Sequence, residues 1–505
     1  MATLATAVVA AYYMTLGVLA LYGLHRLVLL AGWWRHRARA LPAPAPPAAD
    51  EAWPLVTVQL PLYNERFVAE RLLRAVARLD YPAGRLEVQV LDDSTDDTRA
   101  IASAVCAELR RAGVDIHHLC RGERTGFKAG ALAAGLEVAR GELVCIFDAD
   151  FVPAPDFLRR LVPWFADPGL GMVQARWGHL NRDDSLATKV QAMLLDGHFA
   201  IEHFARNRTG CFFNFNGTAG VWRRAAIEDA GGWRADTLTE DLDLSYRAQL
   251  AGWRFLFLPD VVVPAELPAE IADFEAQQHR WAKGAAQTAR KLLPRILAAP
   301  LPGYVRREAF VHLTANVCYP LMALLAALIF PAMLLRRGVG WVQLAAVDLP
   351  LFAVASGGVL LFYLASQHAV GEPWRERIRL LPALMATGIG LSVPNSAAVV
   401  SGVFTRGGVF QRTPKYRREG GGTSRARGGY GGGRRLSFWV EGALAAYFLG
   451  CVVAAVALGM WPSLPFLYLF LQGYGYQFLA ALRLGADAAV PASTRPRATA
   501  LVAEP

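Results

Sequence analysis

Long apolar stretches at both ends of the chain place the strongest constraint on its fold. The first runs from about Leu4 to Leu30 and is interrupted only by His25 and Arg26. A helix needs about 20 apolar residues to cross a bilayer, so this stretch is long enough to span a membrane. A cleaved signal peptide carries its positive charges before a shorter apolar core, whereas the arginines here follow a longer one. We therefore predict an uncleaved membrane helix with its amino end outside and its basic end at the cytosolic surface.

Further apolar stretches follow in the carboxyl-terminal half of the chain. Their lengths predict four more membrane spans, at about 310–335, 341–365, 438–460 and 464–484. Together with the first helix, this gives about five spans, with the carboxyl tail in the cytosol.

One apolar stretch, 379–404, is predicted not to cross the membrane. It is interrupted by Pro394 and Asn395, and neither half is long enough to span a bilayer alone. If it did cross, the basic stretch 406–435 would lie outside, against the tendency of basic loops to stay in the cytosol. We therefore predict a broken interfacial or re-entrant helix, with six spans as the alternative count.

The charge and cysteine patterns indicate a membrane protein with a cytosolic domain. The net charge of +10 comes from 52 basic and 42 acidic residues, and the basic residues cluster beside apolar stretches, as orientation signals and lipid contacts do. We therefore predict a lipid bilayer, and no nucleic acid, as a partner. The six cysteines are scattered without Cys-x-x-Cys pairs, which argues against a zinc site or a disulfide framework and suits a reducing cytosolic face.

The segment 55–268 alternates between strand-like and helix-like stretches after a Pro/Ala linker. Strands are predicted near 55–60, 88–91, 116–119 and 143–147. Strands and helices that alternate through short loops form a mainly parallel sheet covered by helices on both faces. The segment is therefore predicted to be an α/β domain of three layers.

Acidic residues follow two of these strands. Asp92 and Asp93 end the second strand, and Asp148 and Asp150 follow the strand at 143–147. Ligands of open α/β sheets bind at the carboxyl edge of the strands, and side chains two apart on an extended backbone point the same way. Two carboxylates so placed suit Mg²⁺ or Mn²⁺ carrying a diphosphate. A lone Asp-x-Asp is more often a loop that caps a helix, but the shared edge with Asp92 and Asp93 favours the metal site.

Two downstream motifs are candidates for the rest of a reaction centre. Asn216 and Gly217 lie in a loop of small and polar residues that allows close approach by a ligand, although it could be a plain turn. Thr239 is predicted to cap a helix that begins with Glu240 and Asp241. These acids could simply satisfy the helix dipole, or one could be a general base for a sugar hydroxyl.

A basic helix bearing Gln277, Arg280 and Trp281 is predicted from about 275 to 293. A tryptophan-bearing basic helix just before a membrane span is typical of an interfacial position. The neighbouring His279 is assigned no chemistry.

Taken in order, these motifs resemble a known family signature. The set Asp92-Asp93, Asp148-x-Asp150, Thr239-Glu240-Asp241 and Gln277-x-x-Arg280-Trp281 resembles the D, DxD, TED and QxxRW motifs of processive family 2 glycosyltransferases, such as cellulose and hyaluronan synthases. Longer strings at 59–65, 89–96, 217–223 and 277–281 resemble the cellulose synthase-like A mannan synthases. The resemblance implies a cytosolic α/β domain with the GT-A fold of nucleotide-diphospho-sugar transferases, joined to an α-helical transmembrane bundle of about five spans.

The resemblance also implies roles for individual residues. Nucleotide-sugar contacts would come from Glu65, Asp92, Asp93, Lys128 and Asp148, and the metal ligands would be Asp148 and Asp150. Asp241 would be the catalytic base, with Glu240 beside it in the catalytic pair. The acceptor would be bound by Asn216, Gly217, Gln277, Arg280 and Trp281. Thr413 and Lys415 occupy the place of the gating loop FxVTxK of cellulose synthases, a partial match because Arg412 and Pro414 depart from it.

The expected activity is transfer of a hexose from GDP-mannose or UDP-glucose to a growing β-linked polysaccharide of the β-1,4-mannan or glucan type. The enzyme would be inverting and dependent on Mg²⁺ or Mn²⁺. A glycolipid synthase that moves one hexose to a lipid such as diacylglycerol is an alternative, and a transporter or channel with a degenerate cytosolic domain is another. The expected location is a multi-pass position in the plasma or inner membrane of a bacterium or in the Golgi of a eukaryote, with the catalytic domain in the cytosol.

The predicted organisation divides the chain into eight parts. These are an N-terminal transmembrane helix (1–34), a Pro/Ala linker (35–54), the GT-A domain (55–268), interfacial helices with the QxxRW motif (269–305), two transmembrane helices (306–366), the broken helix and basic Gly-rich loop (367–437), two transmembrane helices (438–484) and a tail (485–505).

Overall fold

A computed structural model describes residues 2–39, 41–336, 341–409, 412, 413, 415 and 436–489. The strands are β1 Val56–Leu62, β2 Leu86–Asp92, β3 Ile116–Cys120, β4 Leu143–Ile146, β5 Leu170–His179, β6 Gly220–Arg223 and β7 Arg254–Ala265. The helices up to the membrane-proximal region are α1 Ala2–His36, α2 Ala69–Val76, α3 Thr98–Arg111, α4 Phe127–Val138, α5 Phe157–Leu161, α6 Leu186–Asp196, α7 Phe204–Arg208, α8 Arg224–Asp229, α9 Glu240–Leu250 and α10 Ile271–Ala298. The later helices are α11 Gly303–Thr314, α12 Cys318–Leu335, α13 Trp341–Phe352, α14 Gly358–Ala369, α15 Trp374–Arg377, α16 Leu381–Gly390, α17 Ser392–Phe404, α18 Leu436–Ala457 and α19 Leu464–Ala489.

The seven strands form one mixed sheet in the order β3-β2-β1-β4-β6-β5-β7. The first four strands of that order are parallel, as predicted. The short strand β6 runs antiparallel to both β4 and β5, whereas β5 and β7 are parallel again. The reversed strand was not predicted. Its Val221 and Trp222 are fully buried, so packing on both faces stabilises a strand of only four residues.

The sheet brings the acidic motifs to one edge. Leu62, at the end of β1, pairs with Asp92, the last residue of β2. On the other side of β1, Gln59 pairs with Ile146, the last residue of β4. Asp92 and the residues after Ile146 therefore flank the carboxyl end of β1, which confirms the predicted common edge.

The core lies on both faces of this sheet. Val58 and Leu60 of β1 pack with α2 and α3 on one face, whereas Val144 and Ile146 of β4 pack with α4 on the other. All four side chains are inaccessible to solvent. The two apolar layers hold the strand ends in place and so fix the positions of the loops that follow them.

Four helical segments are long and apolar enough to cross a membrane among the described residues: Thr3–His36, Gly303–Leu335, Ala346–Ala369 and Phe438–Ala457. They correspond to four of the predicted spans. The predicted span at 464–484 lies in the helix α19, which is not among these candidates, so it stays a prediction.

The predicted broken helix is present as a bent pair. Trp374–Gly390 and Ser392–Phe404 meet at an angle of 43°, and counting them as one span raises the number of candidates to five. The break lies at Leu391, one turn before Pro394. A proline ring clashes with the carbonyl four residues earlier, which here belongs to Gly390. The bend therefore precedes the proline that causes it.

Candidate active site

An open cleft lies at the carboxyl edge of the sheet. Apart from Asp92, every predicted site residue lines it: Glu65, Asp93, Lys128, Asp148, Asp150, Asn216, Gly217, Glu240, Asp241, Gln277, Arg280, Trp281, Thr413 and Lys415. Segments separated by up to several hundred residues in the chain therefore form one site.

Asp92 supports the loop beneath the cleft. Its side chain is completely buried, and Oδ2 lies 2.9 Å from His118 Nε2. Oδ1 accepts a hydrogen bond of 2.8 Å from the backbone N–H of Ser94. Burial alone would raise the pKa of Asp92, but His118 and Ser94 outweigh it and lower that pKa. Both oxygens are thus engaged by the protein, which suits an organising role for Asp92.

Asp93 faces the cleft and is held by Arg121. Arg121 donates from Nε to Oδ1 at 3.0 Å and from Nη2 to Oδ2 at 2.5 Å. The same guanidinium donates to the carbonyls of Thr125 and Phe127, so it also fixes the loop before α4. Sequence reasoning missed Arg121, because nothing in the local pattern shows that it returns to the end of β2.

A cation–aromatic pair lines the same wall of the cleft. The guanidinium of Arg124 lies 3.4 Å from the centre of the Tyr63 ring. Both residues line the cleft, and flat groups of this kind are suited to stacking against a nucleobase. Neither residue was singled out from the sequence.

Lys128 is at the centre of the site. It lies in the first turn of α4, after Gly126, whose φ of +73° is in the left-handed region that favours glycine. Its Nζ lies 2.5 Å from Asp148 Oδ1 and donates to the carbonyl of Gly217 at 2.9 Å. Burial alone would lower the pKa of Lys128, but Asp148, Glu240 and Asp241 outweigh it and raise that pKa. The group is therefore a fixed positive charge.

Asp148 and Asp150 lie in a turn. The N–H of Phe151 donates to the carbonyl of Asp148 at 3.1 Å, so the extended backbone expected for this motif is wrong. The strand ends at Ile146, two residues before Asp148, so both aspartates lie beyond it. The turn still directs both aspartates to the cleft.

The turn is held from behind by Arg71. Its Nη2 donates to the carbonyl of Asp150 at 3.2 Å and lies 2.7 Å from Glu266 Oε1. Both charged side chains are nearly inaccessible, so their pairing restricts movement of the turn.

The donor set of this turn fits a hard divalent cation. Asp148 and Asp150 offer carboxylate oxygens, and each contacts a lysine, Lys128 or Lys415, through Oδ1. Mg²⁺ takes one or two protein carboxylates and completes its shell with waters and substrate phosphates. Two carboxylates beside a fixed lysine therefore suit a metal that arrives with a diphosphate.

Another group of possible metal ligands lies on neighbouring strands. Asp92, His118 and Cys120 have ligand atoms within 4.8 Å of one another, and they are the only such group of three or more in the described part of the chain. The scattered cysteines gave no sign of it, because Cys120 meets Asp92 only through the register of β2 and β3. All six cysteines are free thiols, which agrees with the predicted lack of disulfides.

Glu240 and Asp241 begin α9 and point into the cleft. Burial, together with the negative charge of Glu240 beside it, raises the pKa of Asp241 to about 7. Burial also raises the pKa of Glu240, against the opposing effect of Lys128. A carboxylate whose pKa lies close to neutrality is suited to accept a proton from a hydroxyl.

Thr239 does not cap this helix with its side chain, contrary to the prediction. Its Oγ1 lies 3.3 Å from Thr288 Oγ1 on α10, and the methyl and hydroxyl pack against Gly284. Tertiary contact with α10 thus replaces the local cap, and it ties the start of α9 to the helix that carries Gln277 and Arg280.

Gly217 allows the charged groups to converge. A Cβ on this residue would lie 3.0 Å from Asp241 Oδ2 and 3.3 Å from Lys128 Nζ, and its φ is +80°. Both the backbone conformation and the space require glycine. The polar loop therefore lies at the cleft, beside Lys128 and Asp241.

The helix α10 supplies a further wall of the cleft. Gln277, Arg280 and Trp281 lie on one face because residues three and four apart are neighbours on a helix, and all three line the cleft. Burial lowers the pKa of Arg280, and Glu240, Asp148 and Asp241 oppose that effect. The guanidinium adds positive charge near both acidic motifs.

Three residues of the carboxyl-terminal half, Arg412, Thr413 and Lys415, also line the cleft. Arg412 Nη1 lies 3.1 Å from Glu65 Oε2, and Lys415 contacts Asp150. Burial raises the pKa of Glu65 to about 7 against the effect of the two cations. Phe410, Gln411 and Pro414 of the predicted gating loop lie outside the described residues.

Part of the chain is similar to known proteins. Residues 54–284 match the family described as Glycosyltransferase like family 2. A glucomannan 4-beta-mannosyltransferase 1 of Oryza sativa subsp. japonica is 45% identical over 268 residues, which cover 52% of this chain and 51% of the relative. A glucomannan 4-beta-mannosyltransferase 2 of Arabidopsis thaliana is 47% identical over 250 residues, covering 48% of this chain and 47% of the relative.

A solved structure supports the fold assignment. It is a mannosyltransferase from Pyrobaculum calidifontis in complex with GDP-Man and Mn²⁺, with a TM-score of 0.51 and 23% identity over 77% of this chain and 99% of that one. The matched part of this chain covers about half the length of the curated relatives. The central segment, with its mixed sheet and acidic edge, is a family 2 glycosyltransferase domain with the GT-A fold.

Proposed function

We propose that the protein is a membrane-embedded, inverting β-glycosyltransferase that transfers mannose from GDP-mannose to a growing β-1,4-linked mannan. The observation that carries the proposal is the convergence of Lys128, Asp148, Gly217 and Asp241 in one cleft. A diphosphate site and a candidate base are thereby brought next to each other. The curated relatives, which are named as glucomannan 4-beta-mannosyltransferases, favour mannose as the sugar and a polysaccharide as the product. UDP-glucose remains the alternative donor.

The donor diphosphate would bind beside the acidic turn. Asp148 and Asp150 would hold Mg²⁺ or Mn²⁺, which would supply the charge neutralisation that makes a nucleoside diphosphate a leaving group. Lys128 adds a fixed positive charge at the same place. Tyr63 and Arg124 would stack on the base, and Arg121 holds Asp93 ready to accept a hydrogen bond.

Asp241 would take the proton from the attacking hydroxyl. Its raised pKa gives it proton affinity near neutral pH, and its position beside Gly217 leaves room for a ligand instead of a side chain. One in-line attack on the anomeric carbon inverts the configuration and gives a β-linkage. Gln277, Arg280 and Trp281 would hold the acceptor between this carboxylate and the helices that follow α10.

The expected setting is the cytosolic face of a membrane, with the product leaving through the helical bundle. The apolar helical segments support this, and the composition of α10, which predicts an interfacial position, agrees with it. A glycolipid synthase is the second candidate, because the 43° bend at Leu391 could open the bundle to lipid. A transporter with a degenerate domain is less favoured, since the acids of both the metal and base motifs are intact and line one cleft.

The proposal is tested with detergent-purified full-length protein and a panel of labelled nucleotide-sugars. Release of nucleoside diphosphate in the presence of Mn²⁺ is the first readout, and the size and linkage of the labelled product are the second. A β-1,4-linked polymer made from GDP-mannose is the expected result. A single hexose on lipid would favour the glycolipid synthase, and no release from any donor would favour the transporter.

A further inference from the structure

Three side chains at the ends of β2 and β3 bring possible metal ligands close together. In the parallel pairing of these strands, Asp92 lies opposite Cys120, and Val90 lies opposite His118. His118 and Cys120 are two residues apart, so their side chains lie on the same face of β3. The ligand atoms of Asp92, His118 and Cys120 all lie within 4.8 Å of one another. We call this group, which the strand register forms, the strand-end cluster.

The acid and the thiol of the strand-end cluster contact the same ring nitrogen. His118 Nε2 lies 2.9 Å from Asp92 Oδ2 and 3.6 Å from Cys120 Sγ. In a catalytic relay, the acid and the nucleophile contact opposite nitrogens of the histidine, so these residues do not form a Cys–His–Asp triad. A carboxylate oxygen, a ring nitrogen and a sulfur gathered around one point are instead the arrangement of ligands around a metal ion.

The spacing of the three atoms suits a tetrahedral ion such as Zn²⁺. Bonds of about 2.0 Å to nitrogen and about 2.3 Å to sulfur place these two atoms about 3.5 Å apart at a tetrahedral angle. The nitrogen of His118 and the sulfur of Cys120 are 3.6 Å apart. Tetrahedral bonds to oxygen and nitrogen require about 3.3 Å between those atoms. His118 and Asp92, now 2.9 Å apart, would therefore separate by a few tenths of an ångström, which a small rotation of the ring provides.

Cys120 gives an ion access to the cluster from solvent. Cys120 is exposed, His118 is partly exposed, and Asp92 is buried beneath them. The strand that carries the first two, β3, is at the edge of the sheet. An ion bound to the sulfur reaches Asp92 by taking the place of the hydrogen between Nε2 and Oδ2. The buried oxygen therefore needs no separate channel.

The types of ligand select a borderline-soft ion. Thiolate and imidazole favour Zn²⁺ over Mg²⁺ or Mn²⁺, which prefer oxygen ligands. Asp92 Oδ1 accepts a hydrogen bond of 2.8 Å from the N–H of Ser94, and ligating carboxylates are commonly oriented by such a bond. Three protein ligands leave the fourth position of a tetrahedral ion to water. The site thus differs in chemistry from the oxygen site proposed at Asp148 and Asp150.

We propose that Asp92, His118 and Cys120 form a zinc site that joins the ends of β2 and β3. The ion binds Oδ2, Nε2 and Sγ; the thiol proton is released, and the ring carries its hydrogen on Nδ1. Asp93 and Arg121, which form an ion pair at the cleft, are the next residues in the chain after two of the ligands. The site therefore stabilises the strand ends that carry this pair. The inference does not depend on the proposed glycosyl transfer.

Cobalt substitution tests the site directly. Co²⁺ can replace Zn²⁺ in tetrahedral sites, and a cobalt–thiolate bond gives a charge-transfer band in the near ultraviolet that oxygen ligands do not give. Tag-free, metal-stripped full-length protein in detergent with a phosphine reductant is titrated with Co²⁺ alone, without nucleotide. We expect a thiolate band that Zn²⁺ abolishes. The absence of this band, or a band that Zn²⁺ does not displace, would overturn the proposal.

Single substitutions assign the band to the strand-end cluster. Cys120→Ser should abolish it, and the exposure of Cys120 means that the variant should still fold. His118→Ala should weaken Co²⁺ binding by more than about 10-fold, because even outer partners of metal ligands contribute about 10- to 100-fold. His117→Ala and Cys211→Ser are the matched controls: His117 is the neighbouring exposed histidine, and Cys211 is a partly exposed thiol elsewhere. A band that survives Cys120→Ser, or that the controls lose, would contradict the assignment.

Thermal unfolding provides a second readout without activity. An ion that binds only the folded state stabilises it, so Zn²⁺ should raise the Tm of the wild type more than that of Cys120→Ser. Equal shifts of Tm in the two proteins would place the ion elsewhere and refute the site. A protein that shows the cobalt–thiolate band but releases no nucleoside diphosphate would refute the glycosyltransferase proposal and leave the zinc site standing.

Discussion

Lys128 Nζ lies 2.5 Å from Asp148 Oδ1, an ion pair that joins the first turn of α4 to the acidic turn after β4. The same ammonium group donates to the carbonyl of Gly217. One charge therefore connects three segments that are far apart in the chain. The pair also places a permanent cation where the diphosphate of a nucleotide-sugar is proposed to bind.

Replacing Lys128 by Met should lower kcat/KM by about 10²- to 10³-fold, since a positioned charge on a leaving group contributes that much. The measurement is nucleoside diphosphate release by the purified variant. Lys189→Met is the control, because Lys189 lies outside the cleft, where it pairs with Asp183 at 3.9 Å. Equal effects of the two substitutions would count against a role for Lys128 at the phosphates.

Asp241→Asn should lower the rate of transfer by about 10²- to 10⁴-fold. Donor binding should stay nearly intact. The base must be deprotonated to act, and the pKa of Asp241 is raised to about 7. The transfer rate of the wild type should therefore rise with pH through about 7 and level off above it. Donor binding by calorimetry and rates from pH 5.5 to 9 check both points. A flat profile, or normal turnover by the variant, would remove Asp241 from this role.

Removal of divalent metal by EDTA should stop transfer, and Mn²⁺ or Mg²⁺ should restore it. Asp150→Asn should raise the half-saturating Mn²⁺ concentration, because it removes one of two carboxylates at the turn. Activity that does not respond to chelation would contradict the metal assignment.

Lys415→Met should lower the half-saturating Mn²⁺ concentration, which is the opposite of the effect expected for Asp150→Asn. Lys415 contacts Asp150, and so competes with a cation for that carboxylate. We expect half-saturating Mn²⁺ to fall by about tenfold, the equivalent of about 1.4 kcal/mol. The readout is a Mn²⁺ titration of nucleotide binding, with Lys189→Met as the control. An unchanged Mn²⁺ requirement would show that the Lys415 contact does not compete with the metal.

The Gly217→Ala variant should have a lower free energy of unfolding and a lower transfer activity than the wild type. Its φ of +80° makes alanine strained, and the new Cβ would lie 3.0 Å from Asp241 Oδ2. Gly84 has a φ of +72° and open space around it, so Gly84→Ala carries the strain without the contact. Each variant should lose about 1 kcal/mol of unfolding free energy, but only Gly217→Ala should lose transfer. Similar activity in the two variants would contradict the close approach at Gly217.

The sequence was sufficient to predict which acidic residues lie at the carboxyl edge of the sheet. Asp93 and Asp148 follow strands that alternate with helices, and parallel strands must end at a common edge. The glycine-rich loop and the helix of Arg280 were found through their place in an ordered motif series. These features are local patterns, so they can be read from neighbouring residues.

The supporting contacts could not be predicted in this way. Arg121 returns to Asp93 across 28 residues, and His198 meets Asn216 across 18, through a π-helical turn with no sequence signal. Thr239 has the composition of a cap but packs on Gly284 instead. In each case tertiary packing decides between local alternatives of similar free energy.

The central claim is glycosyl transfer at the cleft of Lys128, Asp148 and Asp241. Its most direct test is incorporation of label from GDP-mannose, with Mn²⁺, by the purified wild type and by Asp241→Asn. We predict a product that β-mannanase degrades from the wild type and none from the variant. No label transferred by the wild type from GDP-mannose or UDP-glucose, or equal transfer by both proteins, would contradict it.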